Sequence, residues 1–466
     1  MLPAQRIDAA GRAHVDLRAV LALAAPLIAN SAFQTVLNLT DTWFIGGIST
    51  AAVAAVAAVQ WLVVGVVLLL SGVGLAVQTL VAQAYGSGRY VRAARALWTA
   101  LWGSLFSVPL FVGAALLGAH FIPRAGLDPE VGSLAVEFFV PRVSGSVFGA
   151  AVWSLLGFFN GIGRPRITLA VTAWMAVTNA ALNQIFIFGL GLGILGSALA
   201  STAAQILGLA LALLLFLTGE SRRRFRTHLA WRLHGRTLVN QVRLGLPMGL
   251  VGAGDLLGMA LFQLMQVKLN AIAGAATQIV TMLTSISYMP GVGIALAGTT
   301  LVGQSIGIGD RSWARRVGNH VIAFAATYMG LSGLVLAASG PLLVPLFLGA
   351  HDADSQRVVD DATRVLWIAA IYQLFDGLYL GSSFALRGAG DAKVPAILVI
   401  LLSWLVFVPL AYMLTFGPDN GWISWLPRLG YGLYGGWTAM VAYVVLIGTA
   451  LVTRWRATAW ERIQLR

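Results

Sequence analysis

Three aspartates stand inside stretches of the chain that are otherwise almost wholly apolar. Asp41 lies in PLIANSAFQTVLNLTDTWFIGG, Asp255 in PMGLVGAGDLLGMALFQ and Asp376 in IAAIYQLFDGLYLGSSFAL. A carboxylate placed within a membrane-spanning helix costs about 2.5–3.5 kcal/mol on insertion scales, and such residues mark ion or substrate paths. In a low-dielectric site a carboxyl can take up and release a proton, pair with an organic cation, or contribute oxygen ligands to a sodium ion. Asn30, Gln34, Asn38 and Asp41 follow one another at i, i+4, i+8 and i+11, so they share one helical face. That face must turn away from lipid.

Other polar residues follow the same spacing. Asn179 and Asn183 are four apart, and Thr202 on the next apolar stretch can join them around Asp41 as a proton or cation site. Tyr372, Asp376, Tyr379 and Ser383 share a face, and Gln278, Thr281 and Ser285 form another stripe. Gln34, Asn38, Gln263 and Gln278 are expected to line a cavity. Tyr288, Tyr372 and Tyr379, with Phe33, offer aromatic faces to an organic cation. Pro26 and Pro247 fall inside helical patterns, remove a backbone hydrogen bond, and are hinge candidates.

The elements that must position these residues are membrane helices. Of the 466 residues, 58% are hydrophobic and 10% charged, against about 25% charged in soluble domains. Twelve apolar stretches long enough to span a bilayer run between about residues 19 and 453. All but six of the 30 Lys and Arg (Arg124, Arg142, Lys268, Arg357, Arg364 and Arg428) fall in the termini and alternate connections on one side. The positive-inside rule therefore predicts both ends in the cytoplasm of a bacterial-type inner membrane. It also explains the net charge of +13 without a nucleic-acid partner. The first 18 residues have no apolar core of a signal peptide and read as a cytoplasmic lead-in. Cysteine is absent, which excludes disulfides, thiol catalysis and Cys-ligated metals.

The chain repeats internally. A shift of 221 residues places Pro26 on Pro247, Gly72 on Gly293 and LVAQAYGSG (80–88) on LVGQSIGIG (301–309). A shift of 227 aligns NGIGRPR (160–166) with RGAGDAK (387–393), and one of 239 aligns GLGILG (191–196) with GYGLYG (430–435). Six spans per half make parallel repeats, related by a pseudo-two-fold axis along the membrane normal. The predicted fold is an all-α membrane protein: a lead-in (1–18), an N-lobe (19–218), a basic cytoplasmic linker (219–242), a C-lobe (243–453) and a basic tail (454–466). The first repeat shift carries Gln34, Asn38 and Thr42 onto Asp255, Met259 and Gln263, so the two lobes carry polar stripes on equivalent faces.

Several of these segments (NLTDTWFIGG after a proline in the first span, PMGLVGAGD, YMPGVGIALAGTTLVGQSIGIGD and YQLFDGLYLGSSFALRGAGDAKVP) resemble the multidrug and toxin extrusion family, over about residues 19–453. The resemblance implies a central cavity and export of small amphiphilic organic cations driven by inward proton or sodium flux, with no cofactor. It places the family's acids on Asp41, Asp255 and Asp376, in the manner of the NorM-like branch. It also implies that a sodium ion, where one is used, sits near Asp41 or Asp255. Some relatives carry Asp, Asn, Asp and Thr in the N-lobe; here Asn179 and Thr202 match, but Asn183 replaces the second Asp, which leaves the coupling ion open and tilts Asp41 towards a proton. The expected molecule is a monomer in contact with membrane lipid. Two other readings compete. A flippase for lipid-linked or anionic substrates should carry several basic residues inside the first lobe. An intramembrane aspartyl protease would use G-x-G-D, which occurs at Asp255, Asp310 and Asp391 without a Tyr-Asp partner.

Overall fold

The computed structural model describes residues 2–8, 11–348, 353–418, 421–423 and 426–463. Among the described residues, twelve helices are long and apolar enough to cross a membrane. They are α1 (Leu17–Gly46), α2 (Thr50–Leu70, continuing after Ser71 as Gly72–Gly86), α3 (Tyr90–Arg124), α4 (Pro129–Gly161), α5 (Pro165–Gly189), α6 (Gly193–Leu217), α7 (Gly235–Leu269), α8 (Ala271–Ile308), α9 (Arg311–Phe347), α10 (Ser355–Ala389), α11 (Lys393–Thr415) and α12 (Gly432–Arg456). Their starts are written in the sequence. Asp16, Ser49, Asp128, Asn270 and Asp310 cap the first turns of α1, α2, α4, α8 and α9 with side-chain oxygens. Gly309, at φ 96°, ends α8 in a left-handed conformation.

The six helices α1–α6 and the six helices α7–α12 form two lobes with their own apolar cores. The lobes meet at one end, the end of the basic connections, and they meet reciprocally. Gln83 of α2 donates to Gly388 O (3.0 Å), and its repeat mate Gln304 of α8 donates to Gly161 O (2.9 Å). Thr79 donates to Arg387 O (3.0 Å), and its mate Thr300 donates to Asn160 O (3.0 Å). The four acceptors lie at the C-terminal ends of α4 and α10, where last-turn carbonyls lack i+4 partners; Asn160 O and Arg387 O also accept from Gly163 N (2.9 Å) and Gly390 N (3.0 Å). Glycine lets the backbones close. A methyl on Gly86 would be driven into Gln304 O, and one on its mate Gly307 into Gln83 O. The repeated motifs LVAQAYG and LVGQSIG are thus the two halves of one seal across the pseudo-two-fold axis. The same symmetry pairs α2 with α7 at Gly72 and Gly245, and α8 with α1 at Gly293 and Ile28.

The three segments expected outside the spans are folded. The lead-in is a β-hairpin, β1 (Gln5–Ile7) with β2 (Ala13–Val15), whose apolar side packs on α1, α8 and α9. The basic linker is shorter than 219–242, because α7 begins at Gly235 and buries Gln241 against α3, donating to Ala96 O at 3.1 Å. The rest of the linker is tied down by Trp98 and Trp102, which donate to Thr227 O and Trp231 O, each at 2.8 Å. The tail folds back: Trp455 and Trp460 stack at 4.4 Å, and Glu461 pairs with Arg315. Met1 of the lead-in and residues 464–466 of the tail, including Arg466, lie outside the described residues.

Candidate ion and substrate sites

In the N-lobe, α1 carries Asp41 against α5 and α6. Asp41 Oδ1 accepts from Asn183 Nδ2 at 2.6 Å, and Oδ2 accepts from the Ser201 hydroxyl at 3.3 Å. Asn183 Nδ2 also reaches Asn179 Oδ1 (3.2 Å), and Asn179 Nδ2 donates to Ser201 Oγ (3.3 Å). Asn179, Asn183 and Ser201 are all buried. Thr202 is not part of this cluster. One residue along a helix turns the side chain by about 100°, which points Ser201 at α1 and α5 while Thr202 abuts Gly145 of α4. The Thr202 hydroxyl donates to Ala198 O at 3.0 Å. The expected member of the site is therefore replaced by its neighbour, a distinction that residue type alone does not make.

The sequence also missed the charge that faces Asp41. Arg142 of α4 interacts electrostatically with Asp41, and its buried Nη1 has no hydrogen-bonding partner. The absent side chain of Gly145, one turn along, lets α4 approach α6 closely enough to bring Arg142 there. Asn183 Oδ1, beside the carboxylate, is also buried and unpartnered.

In the C-lobe, α7 presents Asp255 to two tyrosines. Tyr443 of α12 donates to Oδ1 at 2.9 Å, and Tyr379 of α10 donates to Oδ2. Asp376, three residues before Tyr379 on α10, is 3% exposed, and its Oδ2 has no partner. Tyr372 faces Asp376, and Tyr288 of α8 lies within electrostatic reach of both acids. The structure thus brings together Asp255, Asp376, Tyr288, Tyr372 and Tyr379, and adds Tyr443. Among the described residues, neither acid interacts with a basic side chain.

The remaining polar stripe residues are dispersed. Gln34 is half-buried, while Asn38 and Gln278 are exposed. Gln263 is tied to the backbone of α8 through Gly274 O at 3.2 Å. Pro26 and Pro247 both lie inside unbroken helices. They are placed beside the α1–α8 and α2–α7 contacts. Counted from these matched prolines, Asp41 is seven residues further along its helix than Asp255, about 10 Å at 1.5 Å per residue.

Each lobe also carries a π-helical segment in its fifth span, next to its acid. In α5 it is Gln184–Gly189, directly after Asn183. In α11 it is Leu402–Phe407, containing Ser403, which interacts with Tyr443. Such turns gather at functional sites and leave no mark in residue pattern.

Two six-helix lobes joined at one end, each with acids held inside its bundle, define a two-lobed membrane transporter rather than an enzyme. The family profile MatE matches residues 26–185 and 247–413, and the chain belongs to that family. It is similar to "Probable multidrug resistance protein NorM" of Rhizobium meliloti, 28% identical over 445 residues that cover 94% of this chain and 92% of the relative. "Multidrug resistance protein NorM" of Burkholderia vietnamiensis is 31% identical, covering 93% and 92%. Among solved structures, "Outward-facing conformation of a multidrug resistance MATE family transporter of the MOP superfamily" superposes with a TM-score of 0.80 over 95% of this chain and 96% of that one, at 19% identity.

Proposed function

We propose that this transporter exports small amphiphilic organic cations from a bacterial cell through its inner membrane, in exchange for protons. The observation that carries the reading is the C-lobe pair. Asp255 and Asp376 are held within one tyrosine-lined cluster, and among the described residues no basic side chain balances them. Two carboxylates in that setting need a proton, a metal ion or a cationic cargo for charge balance. The four tyrosines supply aromatic faces for a flat cation and hydroxyls that orient the acids. The sealed end carries most of the basic residues, so it faces the cytoplasm and the opposite ends of the lobes face outward.

In this reading a cation enters the inward-open form and pairs with the C-lobe acids. After the lobes reorient, protons from outside neutralise the carboxylates and release it. Ion and cargo then compete, and by linkage each weakens the binding of the other. Asp41 is the N-lobe proton site. Arg142 already supplies a positive charge beside it, and Asn183 brings no second negative charge. Both features favour a proton over sodium there. The names of the NorM relatives support multidrug export. The single interior arginine of the N-lobe is a poor basis for an anionic cargo. The acids of two G-x-G-D copies are engaged elsewhere, Asp310 as the cap of α9 and Asp391 with Arg454 at 2.9 Å.

The test is uptake of a fluorescent aromatic cation into inside-out vesicles under an imposed proton gradient or an imposed sodium gradient. The proton gradient alone is expected to drive it. Asp255→Asn and Asp376→Asn should each reduce transport at least ten-fold. Full activity in both variants, or strict dependence on sodium, overturns the proposal.

A further inference from the structure

A cleft on the outside of the bundle has no part in the transport path. It has a volume of ≈ 510 Å³ and is lined by Arg12, Ala13, His14 and Val15 of the hairpin and by Arg316 and His320 of α9. We propose that it binds the phosphate headgroup of an anionic phospholipid in the cytoplasmic leaflet.

The hairpin is fixed in place to build this cleft. Trp313 Nε1 donates to Pro3 O at 2.9 Å, and Ala13 and Val15 pack towards the core of α1, α8 and α9. Alternation along β2 then turns His14 outward, with Arg6 directly across the hairpin. From α9, Arg316 and His320 sit one turn apart. The Nδ1 of His320 takes the Arg316 carbonyl at 2.8 Å, which leaves Nε2 as the ring's other polar atom. Two guanidinium groups and two imidazoles therefore share one opening. The carboxylates that face them are Asp8, which pairs with Arg12 and His14 at 3.0 Å each, and Asp310, which caps α9 within electrostatic reach of Arg316. All four basic side chains are exposed, so the cleft is open to a ligand.

What distinguishes a lipid from free phosphate is the surface that continues from the cleft. The α9 face that bears Arg316 and His320 runs on through Ala323, Thr327, Leu331, Leu334 and Val335, all exposed and all apolar except the threonine. Leu17 and Leu21 of α1 are exposed beside the hairpin as well. Basic side chains at the end of a span, followed along one helical face by mainly apolar ones, match a phosphate with acyl chains beneath it. Basic pockets on the cytoplasmic side of membrane helices bind such headgroups, at about a factor of five in affinity for each basic residue.

The measurement is native mass spectrometry of the purified full-length protein in detergent, titrated with phosphatidylglycerol, phosphatidylcholine or inorganic phosphate. The wild type should retain phosphatidylglycerol in preference to phosphatidylcholine. Arg12→Gln combined with Arg316→Gln should weaken retention roughly 10- to 30-fold. Asp8→Asn keeps the oxygen that accepts from the Arg12 backbone and removes the competing charge, so it should tighten binding, an effect that misfolding does not mimic. Arg124→Gln, an Arg-to-Gln change outside the cleft, should leave retention unchanged. If inorganic phosphate displaces phosphatidylglycerol, the phosphate site stands but its source is soluble, and the lipid assignment fails. Equal phosphatidylglycerol binding by the wild type, the double variant and Asp8→Asn overturns the site altogether.

Discussion

Gln83→Ala and Gln304→Ala, alone and together, test whether the seal between the lobes is a symmetric latch. Each amide makes one hydrogen bond to a helix-terminal carbonyl of the opposite lobe, at 3.0 and 2.9 Å. A hydrogen bond of this kind contributes about 1 kcal/mol net. Both bonds exist only while the basic ends of the lobes are closed, so their loss acts on the closed state alone. Each single variant should shift the closed–open equilibrium by about 1 kcal/mol, close to five-fold. The double variant should shift it by about 2 kcal/mol, close to 30-fold, and additively, because the two bonds use different donors and acceptors. The chain has no cysteine. Spin labels at Ser87→Cys and Ser312→Cys, exposed positions at the basic end of opposite lobes, therefore report the lobe separation without background. The double variant should move the distance distribution towards separated lobes. Gly86→Ala, which drives a methyl into the Gln304 carbonyl, should do so more completely. An unchanged distribution in the double variant, or effects of the two single variants that differ widely, would refute the latch.

Ser201→Ala removes a donor to Asp41 and should change the pH dependence of transport, whereas Thr202→Val removes only a bond within α6 and should leave that profile in place; a pH–rate series on both variants compares them directly. Outside the membrane, the hydrogen bond and charge of Arg164 hold the Glu220 carboxyl below its ordinary value of 4.5. A depressed acid stabilises the fold above its unfolded pKa, and the contribution fades as pH falls through the lower folded value. Glu220→Gln should therefore melt slightly lower than wild type at neutral pH and converge with it as pH falls through the lowered folded value, by thermal unfolding across pH; a gap that persists in strong acid would contradict the pairing.

The twelve spans were legible because apolar length and short basic connections leave little choice in a bilayer. The repeat was legible because Gln83, Gly86 and Thr79 recur as Gln304, Gly307 and Thr300, and a two-fold seal needs the same donors twice. The C-lobe cluster followed from the spacing of Tyr372, Asp376 and Tyr379. Tyr443 did not, since it arrives from α12 and no spacing links it to α7. Ser201 was hidden behind Thr202 because neighbouring hydroxyl residues differ only in helical phase, and that phase is set by the contact of Gly145 with α6. Arg142 was visible as an oddity, but its relation to Asp41 depends on the same close approach of α4. The hairpin at the N-terminus was lost because two three-residue strands leave almost no periodic signal.

The symmetric and asymmetric parts of the molecule answer to different demands. Both lobes must close against each other about one axis, so Thr79 and Gln83 have mates in Thr300 and Gln304 and substitution on one side leaves half a latch, while Gln78 and Arg387 add unmatched bonds across it. Charge handling has no such requirement. In the N-lobe Asp41 has an arginine near it, whereas among the described residues Asp255 and Asp376 of the C-lobe interact with no basic side chain. Adding a proton to each lobe therefore has different consequences. In the N-lobe it unmasks the positive charge of Arg142. In the C-lobe it removes the negative charge that, in the proposed mechanism, retains a cation. Under the proposed proton coupling, cargo release at the C-lobe and a change in lobe packing around Asp41 are driven by the same protons at two depths, about 10 Å apart along matched helices.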